Sequence, residues 1–175
     1  MLFRSVTFEV AAAVAAPASP TFANACTGTR ITGSPADGNW MCAPTSSIGG
    51  DGDYVVQAIA TDVAGNAATA TFVAFTVDTV PPVAPTNVGL TAATDLGTSS
   101  TDAITKVTGV TVTGTAEAGS TVRVYDTDGT TELGSVTLAS GSTTFSVAVT
   151  LTQGTHQITA TATDAAGNVS PASTA

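Results

Sequence analysis

The side chains able to do chemistry are few, and most are carboxylates. Ten of the 13 acidic residues are Asp; Glu9, Glu117 and Glu132 are the others. Asp62, Asp78, Asp95, Asp102, Asp126, Asp128 and Asp164 stand in turn-like or linker-like sequence. Asp in such places ordinarily accepts hydrogen bonds from nearby backbone N–H groups, and Asp-x-x-Gly-Asn is turn chemistry in its own right. The three Glu are scattered, and a glycosidase-like carboxylate pair needs a cleft to work in. No Gly-x-Ser-x-Gly, His/Glu metal motif or phosphate loop occurs. Cys26 and Cys42 have no neighbouring His, so they do not make a four-ligand zinc site. Catalysis has no evident seat, and the expectation is a protein that is not an enzyme.

Composition narrows the class further. Across 175 residues only 10% are charged, Lys and Arg number four, and the net charge is -9. Nucleic-acid binding requires a basic patch to neutralise phosphates, which four scattered cations do not supply. A hydrophobic content of 43% is too high for a disordered acidic tail. The longest apolar stretch, Val10 to Ala16, stops at Pro17, whereas a membrane span needs about 20 residues. Glu9 and the crowding of Pro17 and Pro20 depart from a signal peptide. The Thr and Val bias favours strands, where β-branched side chains fit a pleated surface.

The elements that must position these residues come from a repeat. Thr61-Asp62-Val63-Ala64-Gly65-Asn66 returns 102 positions later as Thr163-Asp164-Ala165-Ala166-Gly167-Asn168. Upstream, Tyr54–Ala60 lies over His156–Ala162, each preceded by a Gly-bearing turn. Trp40 and Phe145 correspond after a short gap, and at the same offset Phe8 lies near Val110, so the first repeat begins around Val6. A period near one hundred residues suits a β-sandwich. Phe145, Val147, Val149 and Leu151 alternate with Ser146, Ala148 and Thr150, and Ile158, Ala160 and Ala162 alternate with Thr. Period two with polar residues outward is a half-buried strand. Asp126–Gly129 and Gly141-Ser142 mark hairpin turns. Asp78–Pro85 holds three prolines in eight residues and reads as a stiff linker.

The expected layout is a repeat over 6–78, a linker over 79–86 and a second repeat over 87–175. Met1–Ser5 is a string that a common sequencing adapter encodes in one frame, so it is set apart as a leader outside the native repeat. After Asn66 the first repeat runs on through Phe72, Phe75 and Val77, which makes a last strand; nothing equivalent follows Asn168. The fold class is thus all-β, as tandem sandwiches of which the second lacks its last strand, and the chain reads as a fragment of a longer array. His156, interchangeable with Tyr54, is a weak candidate base. Tyr54 itself resembles a tyrosine corner, and Trp40 reads as core rather than as a sugar platform.

The ordered set Asp78–Pro85, Thr94–Thr105, Val112–Ser120 and Thr161–Asn168 resembles the bacterial immunoglobulin-like repeat of large surface adhesins and biofilm proteins. The likeness covers residues 78–170 well and residues 6–77 mainly through Thr61–Asn66 and the last strand. The resemblance implies exported modules stacked into a stalk, extracellular or on the bacterial surface, that space a binding domain from the cell. Adjacent repeats of the same chain are then its partners, and other domains engage a host-surface or matrix ligand. It also implies structural Ca²⁺ near domain junctions, a cation that takes roughly six to eight hard oxygens from flexible loops. Along an immunoglobulin-like path, Asp164 would stand near Asp78. Asp95 and Asp102 would lie at the opposite end, and Asp62 would face whatever precedes residue 6. Export would favour a disulfide between Cys26 and Cys42. Two other readings stand beside the stalk: a module that binds a glycan or protein, and an accessory domain of a secreted polysaccharide-active enzyme.

Overall fold

A computed structural model of the protein describes residues 3–12, 23–27, 29–32, 39–41, 50–70 and 73–174. It contains strands and turns, and no helix among those residues is long and apolar enough to cross a membrane. The chain divides into two compact units, Met1–Asp78 and Thr79–Ala175.

Unit 1 is organised by β5 (Gly52–Asp62). One edge of β5 pairs antiparallel with β1 (Phe3–Ala12), which in turn pairs with β2 (Ala23–Thr27). Its other edge is shared by two strands. β6 (Ala67–Thr69) takes Ile59–Thr61, and β7 (Val73–Val77) takes Gly52–Val56. β3 (Thr29–Thr32) and β4 (Asn39–Met41) form a separate antiparallel pair. Trp40, on β4, lies opposite Arg30.

Unit 2 is a two-sheet sandwich. One sheet has the order β11-β10-β13 (Glu132–Thr137, Thr121–Tyr125, Thr159–Thr163), the other β12-β9-β8 (Thr144–Thr150, Gly109–Thr115, Thr86–Leu90). The alternation read from the sequence is the alternation of burial. Phe145, Val147 and Val149 face inward while Ser146, Ala148 and Thr150 face out. Val110 and Val112 on β9, Val122 and Val124 on β10, and Ala160 and Ala162 on β13 complete one apolar cluster drawn from both sheets. Phe145 is 1% exposed and the largest of the fully buried side chains. Gly114, on the strand facing Phe145, is held to glycine by that ring: an added Cβ would stand 2.6 Å from its Cζ.

The repeat register corrects one expectation. Ala60 pairs with Val6 in unit 1, and Ala162, its counterpart 102 positions on, pairs with Val122 in unit 2. β1 therefore stands where β10 stands, and Phe8 corresponds to Val124 rather than to Val110. The offset that aligns the later strands fails here because the connections differ in length, and loop length is weakly constrained by stability. β7 has no equivalent among the described residues of unit 2: no strand pairs with Gly154–Ile158, the segment matching Gly52–Val56.

Candidate functional site

The Asp-x-x-Gly-Asn strings are turns held by their own carboxylates. Asp62 Oδ1 accepts from the Ala64 and Asn66 backbone N–H groups at 2.9 and 2.8 Å, and Oδ2 accepts from Asn66 Nδ2 at 2.9 Å. Asp164 repeats this with Asn168: Oδ1 accepts from the backbone N–H at 2.8 Å and Oδ2 from Nδ2 at 2.9 Å. Gly65 and Gly167 sit at φ 91 and 94, a conformation that glycine adopts without a Cβ clash. The Asn side-chain bonds hold both carboxyls below the ordinary Asp range, against the opposing effect of desolvation. Both acids thus stabilise the turn after the strand that carries them.

Asp95 is placed differently. It lies in the long connection between β8 and β9, and is 3% exposed. The connection is cross-braced: Thr105 Oγ1 donates to the Thr94 carbonyl at 2.8 Å, and Lys106 N–H donates to the Leu96 carbonyl at 3.0 Å. Asp95 Oδ2 accepts from the Ala103 N–H at 3.1 Å, while Oδ1 is buried with no hydrogen-bond partner. A buried, unsatisfied carboxylate oxygen is costly and calls for a donor or a cation. Asp102 shares the connection but is exposed, and its Oδ1 accepts from the Ile104 N–H, two residues on, at 3.1 Å.

The remaining predicted residues fall as follows. Asp78 is exposed and closes unit 1, whereas Asp164 belongs to unit 2, so a joint between them is part of the proposal below. Cys26 lies on β2 opposite Phe8, and Cys42 lies outside the described residues, as therefore does their pairing. Among the described residues no three His, Cys, Asp or Glu side chains form a group able to hold a metal. Oxygens for a cation at Asp95 would come mostly from backbone carbonyls, hydroxyls and water, a donor set of the hard type that Ca²⁺ accepts.

The corner expected at Tyr54 is present, and its counterpart His156 is the structural residue not identified from sequence. Tyr54 Oη donates to the Gly50 carbonyl, four residues upstream, at 2.7 Å, which is the geometry of a tyrosine corner. His156 occupies the matching place and donates from Nε2 to the Thr152 carbonyl, also four residues upstream, at 3.1 Å. Its Nδ1 lies 2.8 Å from Asp126 Oδ1. Both ring nitrogens face acceptors, an arrangement that the doubly protonated ring satisfies. The Asp126 bond raises the His156 pKa, the Thr152 carbonyl adds to this, and Asp126 is lowered in return. Asp128, in the adjacent hairpin turn, is lowered to about 2, chiefly by the Thr131 hydroxyl. The alignment of His156 with Tyr54 was the available signal.

These features define the class. The bacterial Ig-like domain model matches residues 8–79 and again 82–175, and the chain belongs to that family. Among solved structures the chain is similar to one described as "Biofilm associated protein - BSP domain", at 19% identity and a TM-score of 0.38. That match covers 97% of this chain and 24% of the other, so the chain spans about a quarter of its length. No curated protein matches the sequence.

Proposed function

We propose that the two units are spacer modules from the stalk of an exported bacterial surface adhesin, and that they extend a binding domain away from the cell. The observation that carries this is the tandem match of one family to both halves of the chain. Each half rebuilds the same structural devices, the Asp–Asn turn and the corner bond, at matching repeat positions. Neutral Thr-rich sheet surfaces joined by acidic loops suit a repeat whose work is mechanical. Under this reading the chain lies extracellularly, with adjacent repeats as its partners.

Calcium belongs to the same proposal. Asp95 is its best-supported ligand, because the buried Oδ1 needs a partner. Asp102 is on the same connection, and Asp78, Asp164 and Asp62 would act where modules meet. A binding screen tests the spacer reading. The immobilised chain, presented to a glycan array and to extracellular-matrix proteins, is expected to bind none of them. Saturable micromolar binding to one of them would overturn the reading in favour of a binding module.

A further inference from the structure

His156 is the only histidine of the sequence. Its ring bridges two parts of unit 2, the hairpin turn after β10 and the segment leading into β13. Nδ1 faces Asp126 Oδ1 at 2.8 Å, and Nε2 faces the Thr152 carbonyl at 3.1 Å. Thr127 joins the same two parts a second time. Its Oγ1 accepts from the Gln157 N–H at 2.9 Å and donates to Asp126 Oδ1 at 3.1 Å. Asp126 Oδ1 also accepts from the Thr127 N–H at 2.6 Å. These bonds form one network, and every member of it lies in Asp126-Thr127 or in Thr152–Gln157.

The network has two proton states. A charged ring carries an N–H for each acceptor, so both bonds are made. A neutral ring carries one N–H and one lone pair. The carboxylate keeps the N–H, because a bond to an ionised acceptor is the stronger of the two. Nε2 then turns its lone pair toward the Thr152 carbonyl, and the corner bond is lost. Thr152 Oγ1, 3.5 Å from Nε2, is the donor that the neutral ring takes instead, which requires Thr152 to move. The charged groups on the surrounding elements are Asp126 and Asp128 in the turn, Arg123 on β10, Glu132 on β11 and Lys106 in the β8–β9 connection. Arg123 and Glu132 pair with each other at 3.5 Å, and among the described residues only Asp126 pairs with the ring.

Unit 1 makes the same corner with a hydroxyl that does not titrate near neutrality, since Tyr54 Oη donates to the Gly50 carbonyl at 2.7 Å. We infer that His156 is a proton-operated latch, which fastens the Thr152–Gln157 segment to the Asp126–Thr131 turn when charged and releases its corner bond when neutral. Unit 2 therefore loosens locally as pH rises through the titration of this ring, while unit 1 keeps its corner. The latch is internal to unit 2 and does not depend on the spacer role.

The test is an NMR titration of the ring in the ¹⁵N,¹³C-labelled 175-residue protein, from about pH 5 to about pH 9. The ring is expected to titrate above the ordinary histidine value, and its neutral form to hold the proton on Nδ1. Amide signals of Thr152–Gln157 and Asp126–Thr131 should shift with the same midpoint, while those of Gly50–Tyr54 stay in place. His156→Tyr, which copies the corner of unit 1, should abolish the shifts. Asp126→Asn keeps the histidine and should lower its midpoint. A neutral ring protonated on Nε2 overturns the inference, because the corner bond then survives deprotonation. Shifts that persist in His156→Tyr, or a midpoint unmoved by Asp126→Asn, overturn it as well.

Discussion

His156 Nδ1 lies 2.8 Å from Asp126 Oδ1, which ties the segment leading into β13 to the hairpin turn after β10. The side chains are 14% and 24% exposed, so the pair is shielded from solvent on most sides. It stabilises the position where unit 1 uses Tyr54, and it does so with a titrating group. A tyrosine corner is indifferent to neutral pH, whereas a histidine corner is not.

The sign of the pH effect follows from the shifts. The His156 pKa is raised, so its contribution is fully present below the ordinary histidine value and is lost as pH rises through the folded-state value. Asp62, Asp126, Asp128 and Asp164 are lowered. Their contribution is present above the ordinary Asp value and is lost on acidification, for Asp128 down to about pH 2. Thermal melts should therefore be higher at about pH 5.5 than at about pH 8.5. His156→Gln should flatten that difference; an equal difference in the variant would remove His156 as its source.

Asp164→Ala removes both side-chain bonds to Asn168 at once, while Asp164→Asn keeps an acceptor for the backbone. The Ala variant should be destabilised, and the Asn variant less so. Chemical denaturation read at unit 2 checks the ranking. An Ala variant as stable as the parent would mean that the Asp–Asn turn is not stabilising.

Gly114→Ala places a methyl 2.6 Å from Phe145 Cζ and 3.0 Å from the Thr86 carbonyl oxygen. The ring is fully buried, so it has little room to retreat. Overpacking of this kind costs about 1–3 kcal/mol, measurable as a lowered denaturation midpoint. Phe145→Ala should cost about 3–5 kcal/mol through the cavity it leaves.

Calcium at the β8–β9 connection should raise the melting temperature of the wild-type chain in a saturable way. At a hundredfold excess over the dissociation constant the gain is about 2.7 kcal/mol. Asp95→Ala should abolish the response, and Asp102→Ala should reduce it. A melt that is the same in Ca²⁺ and in EDTA would remove calcium from the account.

Much of the sandwich was legible because its cause is local. Phe145, Val147 and Val149 alternate with polar residues, and the pleat turns that alternation into burial without reference to anything distant. The Asp126–Gly129 hairpin was legible for the same reason: the Gly129 N–H donates to the Asp126 carbonyl at 2.8 Å. The equivalence of β1 and β10 was not legible, because only cross-strand register reveals it. Asp95 read as one acid among several in a loop. What distinguishes it is burial, and the folding back of the connection that brings the Ala103 N–H to Asp95 Oδ2 and Thr105 Oγ1 to the adjoining Thr94 carbonyl. His156 was hidden by a change of chemistry at a preserved position, since its bond to Thr152 copies that of Tyr54 to Gly50 with a different side chain.

If the two units are mechanical spacer modules, each resists force on its own, and single-molecule force extension measures this. With the 175-residue chain held between handles of known unfolding force, two separate unfolding events are predicted. Each should release about 200–350 Å of contour, as expected for a unit of this length at about 3.5 Å per residue. A chain that extends smoothly with no resolvable event, or that yields in a single event of the combined length, would contradict it.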